Sequence, residues 1–129
     1  MKKSLLNCRP ILLFGLIGMT TIIACTQEVQ PIADLPPISF NQKVMPIIAA
    51  GCTASGCHGN ERTEEFTLLS YEDVIKHGDV KAKDARSSKL YRVITTPTGG
   101  VMPPSPNEPL SEEQVGLIYL WILQGAKNN

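Results

Sequence analysis

The chain has 129 residues, enough for one domain and a leader and too few for two cores. Twelve basic side chains balance twelve acidic ones, and no basic stripe of the kind nucleic acid requires is present. Three of the basic residues, Lys2, Lys3 and Arg9, stand at the very start and precede an apolar run from Ile11 to Ala24, ILLFGLIGMTTIIA. At 14 residues the run is shorter than the roughly 20 that a membrane-spanning helix needs. A basic start followed by such a run predicts an export signal over residues 1–24, in preference to a retained amphipathic anchor.

The run closes on Ile22-Ile23-Ala24-Cys25, which resembles the lipobox of bacterial lipoproteins. That resemblance implies cleavage before Cys25 and acylation of its sulfur, tying the chain to a membrane of the bacterial envelope on the periplasmic side or at the cell surface. More than one acyl chain is needed for a stable anchor. The alternative for Cys25, a disulfide, would need another exported thiol, and Cys8 leaves with the signal. Without the leader the chain keeps nine basic against twelve acidic side chains, a net charge near −3.

Residues 25–38 form the lipidated segment, and Thr26 to Ile38 holds Pro31, Pro36 and Pro37 with no helical period, which predicts a semi-extended tether. A domain is expected over residues 39–129. Phe40, Val44, Ile47 and Ile48 fall at helical spacing behind Ser39 as N-cap. Pro46 sits inside that pattern, so the helix either kinks or begins near Met45. Small and polar residues make Cys52 to Arg62 a loop. Ser70 with Asp73 three positions on resembles a capping box, and Gly78 supplies a stop, giving a short helix Tyr71 to His77. Ser87 or Ser88 opens another, through Ile94. Thr95 to Pro109, with adjacent glycines and five prolines, is irregular. In the last element Ser111 and Gln114 form a capping box and Gly125 ends the helix. Val115, Ile118, Tyr119 and Ile122 line one face, widened by Leu117, Leu120 and Trp121. No run alternates with period two. The fold class is therefore all-α, with long loops of the sort that wrap something.

The chemistry sits in Cys52-Thr-Ala-Ser-Gly-Cys57-His58. A C-x-x-C-H motif marks covalent c-type haem attachment, in which two thiols join the vinyl groups and the adjacent histidine becomes an axial iron ligand. Here four residues separate the cysteines instead of two. Gly56 and the small Thr53, Ala54 and Ser55 let such a loop bulge at little steric cost. The sixth iron position calls for a soft ligand on a stiff loop, and Met102 fits, between Gly99-Gly100 and Pro103-Pro104. Such a ligand raises the reduction potential. Met45 and His77 are rivals. Met45 is read as helix packing, and His77 as a solvated residue favoured by its helix dipole.

Residues 39–129 resemble a bacterial cytochrome c domain, on PIIAAGCTASGCHG, SSKLYRVI and VMPPSPNEPLSEEQVGLIYLWILQGAKNN. The resemblance implies a cytochrome c-like fold of about four short helices, with the first and last packed together and the methionine loop closing over one covalent haem c. It further implies thioether links through Cys52 and Cys57, with His58 and Met102 as iron ligands. The expected role is membrane-anchored electron transfer between redox proteins, without an enzymatic reaction of its own. The competing readings are a haem protein that binds small ligands or acts as a peroxidase, and a haem-free lipoprotein stapled by a Cys52–Cys57 disulfide. A zinc site would have to draw on Cys52, Cys57, His58 and His77.

Overall fold

A computed structural model describes residues 30–61, 65–96 and 100–129. The expected signal segment, Cys25, the first residues of the tether, Arg62 and Gly99 lie outside the described residues.

Every regular element among the described residues is helical, and no strand is present among them. Helix α1, Met45–Gly51, follows a π-helical turn over Phe40–Val44. Pro46 decides this arrangement. It lacks an N–H, and its ring crowds the carbonyl four residues back, so it suits the first turn of an α-helix and distorts the turn before. The bonds there accordingly run from the Val44 N–H to the Ser39 carbonyl and from the Met45 N–H to the Phe40 carbonyl. Ser39 is the N-cap, its hydroxyl accepting from the Gln42 N–H at 3.2 Å.

Helix α2 covers Tyr71–His77, with the Ser70 hydroxyl accepting from the Asp73 N–H. The Asp73 side chain also reaches to the preceding strap, accepting from the Leu69 N–H at 3.2 Å and the Thr67 hydroxyl at 3.3 Å. Slight desolvation pushes the Asp73 carboxyl up, but these bonds and those from Ser70 outweigh it and hold the group below its ordinary range.

Helix α3 covers Lys89–Thr95. Ser88 holds the N-cap position but caps nothing with its side chain. Fully buried, its hydroxyl donates to the Asp84 carbonyl at 2.8 Å and accepts from the Lys81 N–H at 2.9 Å, closing the loop between α2 and α3. Helix α4, Glu112–Leu123, has both halves of the expected capping box: Gln114 N–H to Ser111 hydroxyl, and Ser111 N–H to Gln114 Oε1 at 2.8 Å. None of these helices is long and apolar enough to cross a membrane.

Helix α4 packs against the π-helical turn and against α3. Its central residue is Trp121, 1 % exposed. The Phe40 ring tilts against it at 5.3 Å, and Tyr71 meets the Phe40 ring edge-on at 5.1 Å. Both polar tips of this aromatic group find partners, as buried Trp and Tyr require. Trp121 Nε1–H donates to the Lys127 carbonyl at 2.9 Å, and the Tyr71 hydroxyl to the Ala126 carbonyl at 2.7 Å. Ile48, Val44, Ile118 and Ile122 complete the fully buried centre.

The folded unit runs from Ile32 to Asn129, so the tether ends earlier than its prolines suggest. Ile32–Asp34 forms a 3-10 turn. Gln124 then clamps the extended residues beyond it, its Oε1 accepting from the Ile38 N–H at 2.7 Å and its Nε2 donating to the Pro36 carbonyl at 3.1 Å. A segment without internal hydrogen bonds is ordered here by one amide side chain from α4.

Candidate functional site

The Cys52–His58 loop grows from the end of α1. The Cys52 N–H still donates to the Ile48 carbonyl at 2.8 Å, so the first sulfur is placed by the helix itself. The chain then turns back. The Cys57 N–H donates to the Ala54 carbonyl at 2.9 Å and the His58 N–H to the Cys52 carbonyl at 3.0 Å. These two bonds absorb the residues that separate the cysteines into one tight turn and bring His58 back beside Cys52. Gly56 makes the turn possible, because its φ of +81° is costly for any residue with a Cβ. Gly59 is required for a different reason: a Cβ there would collide with the Thr53 carbonyl oxygen. The bulge expected from the small residues between the cysteines is thus present, with a definite hydrogen-bonded form.

His58 is 7 % exposed. Its backbone carbonyl accepts from the Leu68 N–H at 2.9 Å, fastening it to the strap that Asp73 holds. Its ring Nδ1 lies 3.2 Å from the Phe66 carbonyl oxygen. A carbonyl can only accept, so this bond calls for a proton on Nδ1, and in the neutral ring that tautomer leaves the lone pair on Nε2. This is the arrangement by which metal-binding histidines are commonly oriented. The Phe66 side chain adds a second restraint, stacking on the His58 ring with centroids 4.4 Å apart and planes 14° from parallel. Phe66 also stacks on His77, at 4.6 Å and 4°.

Met102 comes from the loop after α3. Its N–H donates to the Val93 carbonyl at 2.7 Å, pinning that loop to α3. Cys52, Cys57, His58 and Met102 all line one cleft, although Met102 lies 44 positions beyond His58 in the chain. The cleft encloses about 190 Å³ and opens on one side to solvent, less than the roughly 300–1,000 Å³ usual for cofactor-sized sites. Phe66, Leu68, Leu90, Val93 and Ile94 supply apolar walls, and Pro103 and Pro104 continue the methionine loop along it. Burial, reinforced by the neighbouring Cys57, pushes the Cys52 thiol up to about 11, so its sulfur stays protonated at neutral pH.

Cys52 and Cys57 are both free thiols. Among the described residues no three His, Cys, Asp or Glu side chains converge to hold a bare metal ion, which leaves the zinc alternative without its ligands. Two thiols, an imidazole and a thioether along one largely apolar cleft are the residue types that covalent haem attachment and axial ligation use.

Met45 packs against the core and does not line the cleft. His77 differs from its sequence reading: it lines the cleft and stacks on Phe66. Phe66 was not foreseen at all. Its one signal is to be the only aromatic residue between His58 and Tyr71, in a stretch otherwise polar up to that point. Compared with protein-family models, curated proteins and solved structures, the chain matches none of them.

Proposed function

We propose that this protein is a mono-haem c-type cytochrome, held to a membrane of the bacterial envelope by acylated Cys25, that transfers electrons between redox proteins. The observation that carries the proposal is the convergence of Cys52, Cys57, His58 and Met102 on a single apolar cleft. The cytochrome c-like architecture belongs to the same reading. It is supported by the packing of the π-helical turn on α4 and by a methionine loop pinned to α3 and lining the same cleft as the attachment turn.

Each residue has a distinct task. Cys52 and Cys57 would hold the porphyrin through thioether links, each S–H adding across a vinyl C=C with no net oxidation. His58 would hold the iron through Nε2, its ring direction fixed by the Phe66 carbonyl and ring. Met102 would offer a soft sulfur, a ligand that raises the reduction potential. The apolar walls would cover one side of the bound group. That group would supply a reversible one-electron couple.

An electron carrier needs no general acid or base. Apart from the four residues assigned above, the titratable groups lining the cleft among the described residues are His77 and Lys89. Expression together with a haem-attachment system is expected to give a red protein whose colour stays with the polypeptide through acid–acetone extraction. Release of all colour into the acetone, or a colourless protein with Cys52 joined to Cys57, would overturn the reading.

A further inference from the structure

The folded unit carries a second depression, which shares no lining residue with the cleft. It lies between the clamped segment after the 3-10 turn and the end of α4, and its wall is largely apolar, with Ile32, Leu35 and Leu123 prominent. Ile32 is 40 % exposed, one of only two large hydrophobic side chains so open among the described residues. Two lysines, Lys83 and Lys127, line the same depression, and both are exposed. An apolar floor edged by ammonium groups has the chemistry of an interfacial membrane contact, in which alkyl groups enter the acyl boundary and lysines meet phosphate headgroups.

The chain length outside this face says which surface it meets. Ile32 lies seven positions beyond Cys25, a reach of at most about 25 Å when fully extended. An acyl chain on Cys25 therefore holds Ile32 within that distance of the bilayer. Gln124 further fixes the segment leading from the anchor against α4, so the tether does not leave the domain free to tumble on a long leash.

We propose that this face docks on the anionic phospholipid surface to which the protein is anchored, with Ile32 and Leu35 at the headgroup boundary and Lys83 and Lys127 on phosphates. The inference rests on the acylated Cys25 of the reading above, and it makes the tether an orienting device. The depression and the cleft have no lining residue in common, so docking there covers none of the residues that line the cleft.

The test uses the full mature lipoprotein in vesicles of phosphatidylcholine, with and without phosphatidylglycerol, and amine acetylation read by mass spectrometry. In the anionic vesicles Lys83 and Lys127 are expected to be acetylated about fivefold more slowly than in the neutral ones, with Lys76 and Lys89 unchanged. High salt should abolish the difference. Lys127→Glu should reduce the protection left at Lys83. Equal labelling of all four lysines on an acylated protein would overturn the orientation alone. Absence of acyl mass on the Cys25 peptide would remove the anchor, and the docking proposal with it, while leaving the haem reading intact.

Discussion

Replacing Trp121 with alanine is expected to destabilise the domain by about 3–5 kcal/mol, the range for emptying a large aromatic site in a packed core. Trp121 is 1 % exposed, touches the Phe40 ring, and ties the chain after α4 through its bond to the Lys127 carbonyl. Alanine removes all three contributions and leaves a cavity between α4 and the π-helical turn. Against a total stability of ~5–15 kcal/mol, this is a large fraction. For a domain of this size it corresponds to a fall in Tm of roughly 15–30 °C. Trp121→Phe keeps most of the ring contact but loses the indole N–H, and should fall well short of that. Thermal unfolding followed by circular dichroism separates the two variants, and equal Tm values for Trp121→Ala and the parent would contradict the packing argument.

In the proposed haem protein, replacing Met102 with alanine is expected to act on the iron and to leave the core untouched. Met102 is half-buried and its loop is held by the backbone bond to Val93, which alanine retains. The loop should therefore keep its position while the thioether disappears. The reduction potential is expected to fall by an amount on the order of 0.2 V, within the ~0.8 V span that axial ligation controls. The reduced variant should bind carbon monoxide readily, whereas the parent, with both axial positions filled, should bind it slowly. Redox titration and carbon monoxide difference spectra measure the two effects. A Met102→Ala protein with the parent's potential and the parent's sluggish carbon monoxide binding would assign the sixth ligand elsewhere, with His77 the first residue to examine because it also lines the cleft.

The helical parts of this fold were legible wherever the signal was local. Ser39, Ser70 and Ser111 each cap through a bond to the residue three positions ahead, and the capping box of α4 involves only Ser111 and Gln114. Spacing within one turn encodes such contacts. Ser88 marks the limit of that logic: it stands where a cap should stand, yet its hydroxyl bonds to Lys81 and Asp84 because the loop between α2 and α3 folds over it. The π-helical turn follows from Pro46 only once the chain is packed. The apolar pattern of α4 marked its inward face but could not rank the residues on it, so Trp121 read as an edge of the stripe although it is the largest fully buried side chain of the core.

The site divides in the same way. The cysteines and His58 lie within seven consecutive positions, and Met102 is flanked by residues that stiffen a loop, so all four could be named from the sequence. Phe66 could not. Its importance comes from a carbonyl placed against the His58 ring, and a backbone carbonyl leaves no trace in residue type. His77 eluded the sequence for a related reason. A histidine ending a short charged helix has the look of a solvated residue until the stack through Phe66 turns it toward the cleft.

The claim on which the rest depends is that Cys52 and Cys57 hold a porphyrin covalently. Peptide mass spectrometry of the mature protein, made with the attachment machinery present, addresses it directly. The peptide spanning Cys52 to His58 is expected to carry the mass of one iron porphyrin, joined through both sulfurs with no hydrogen lost. The same peptide at its bare mass, or lighter by two hydrogens as a disulfide, would contradict the account.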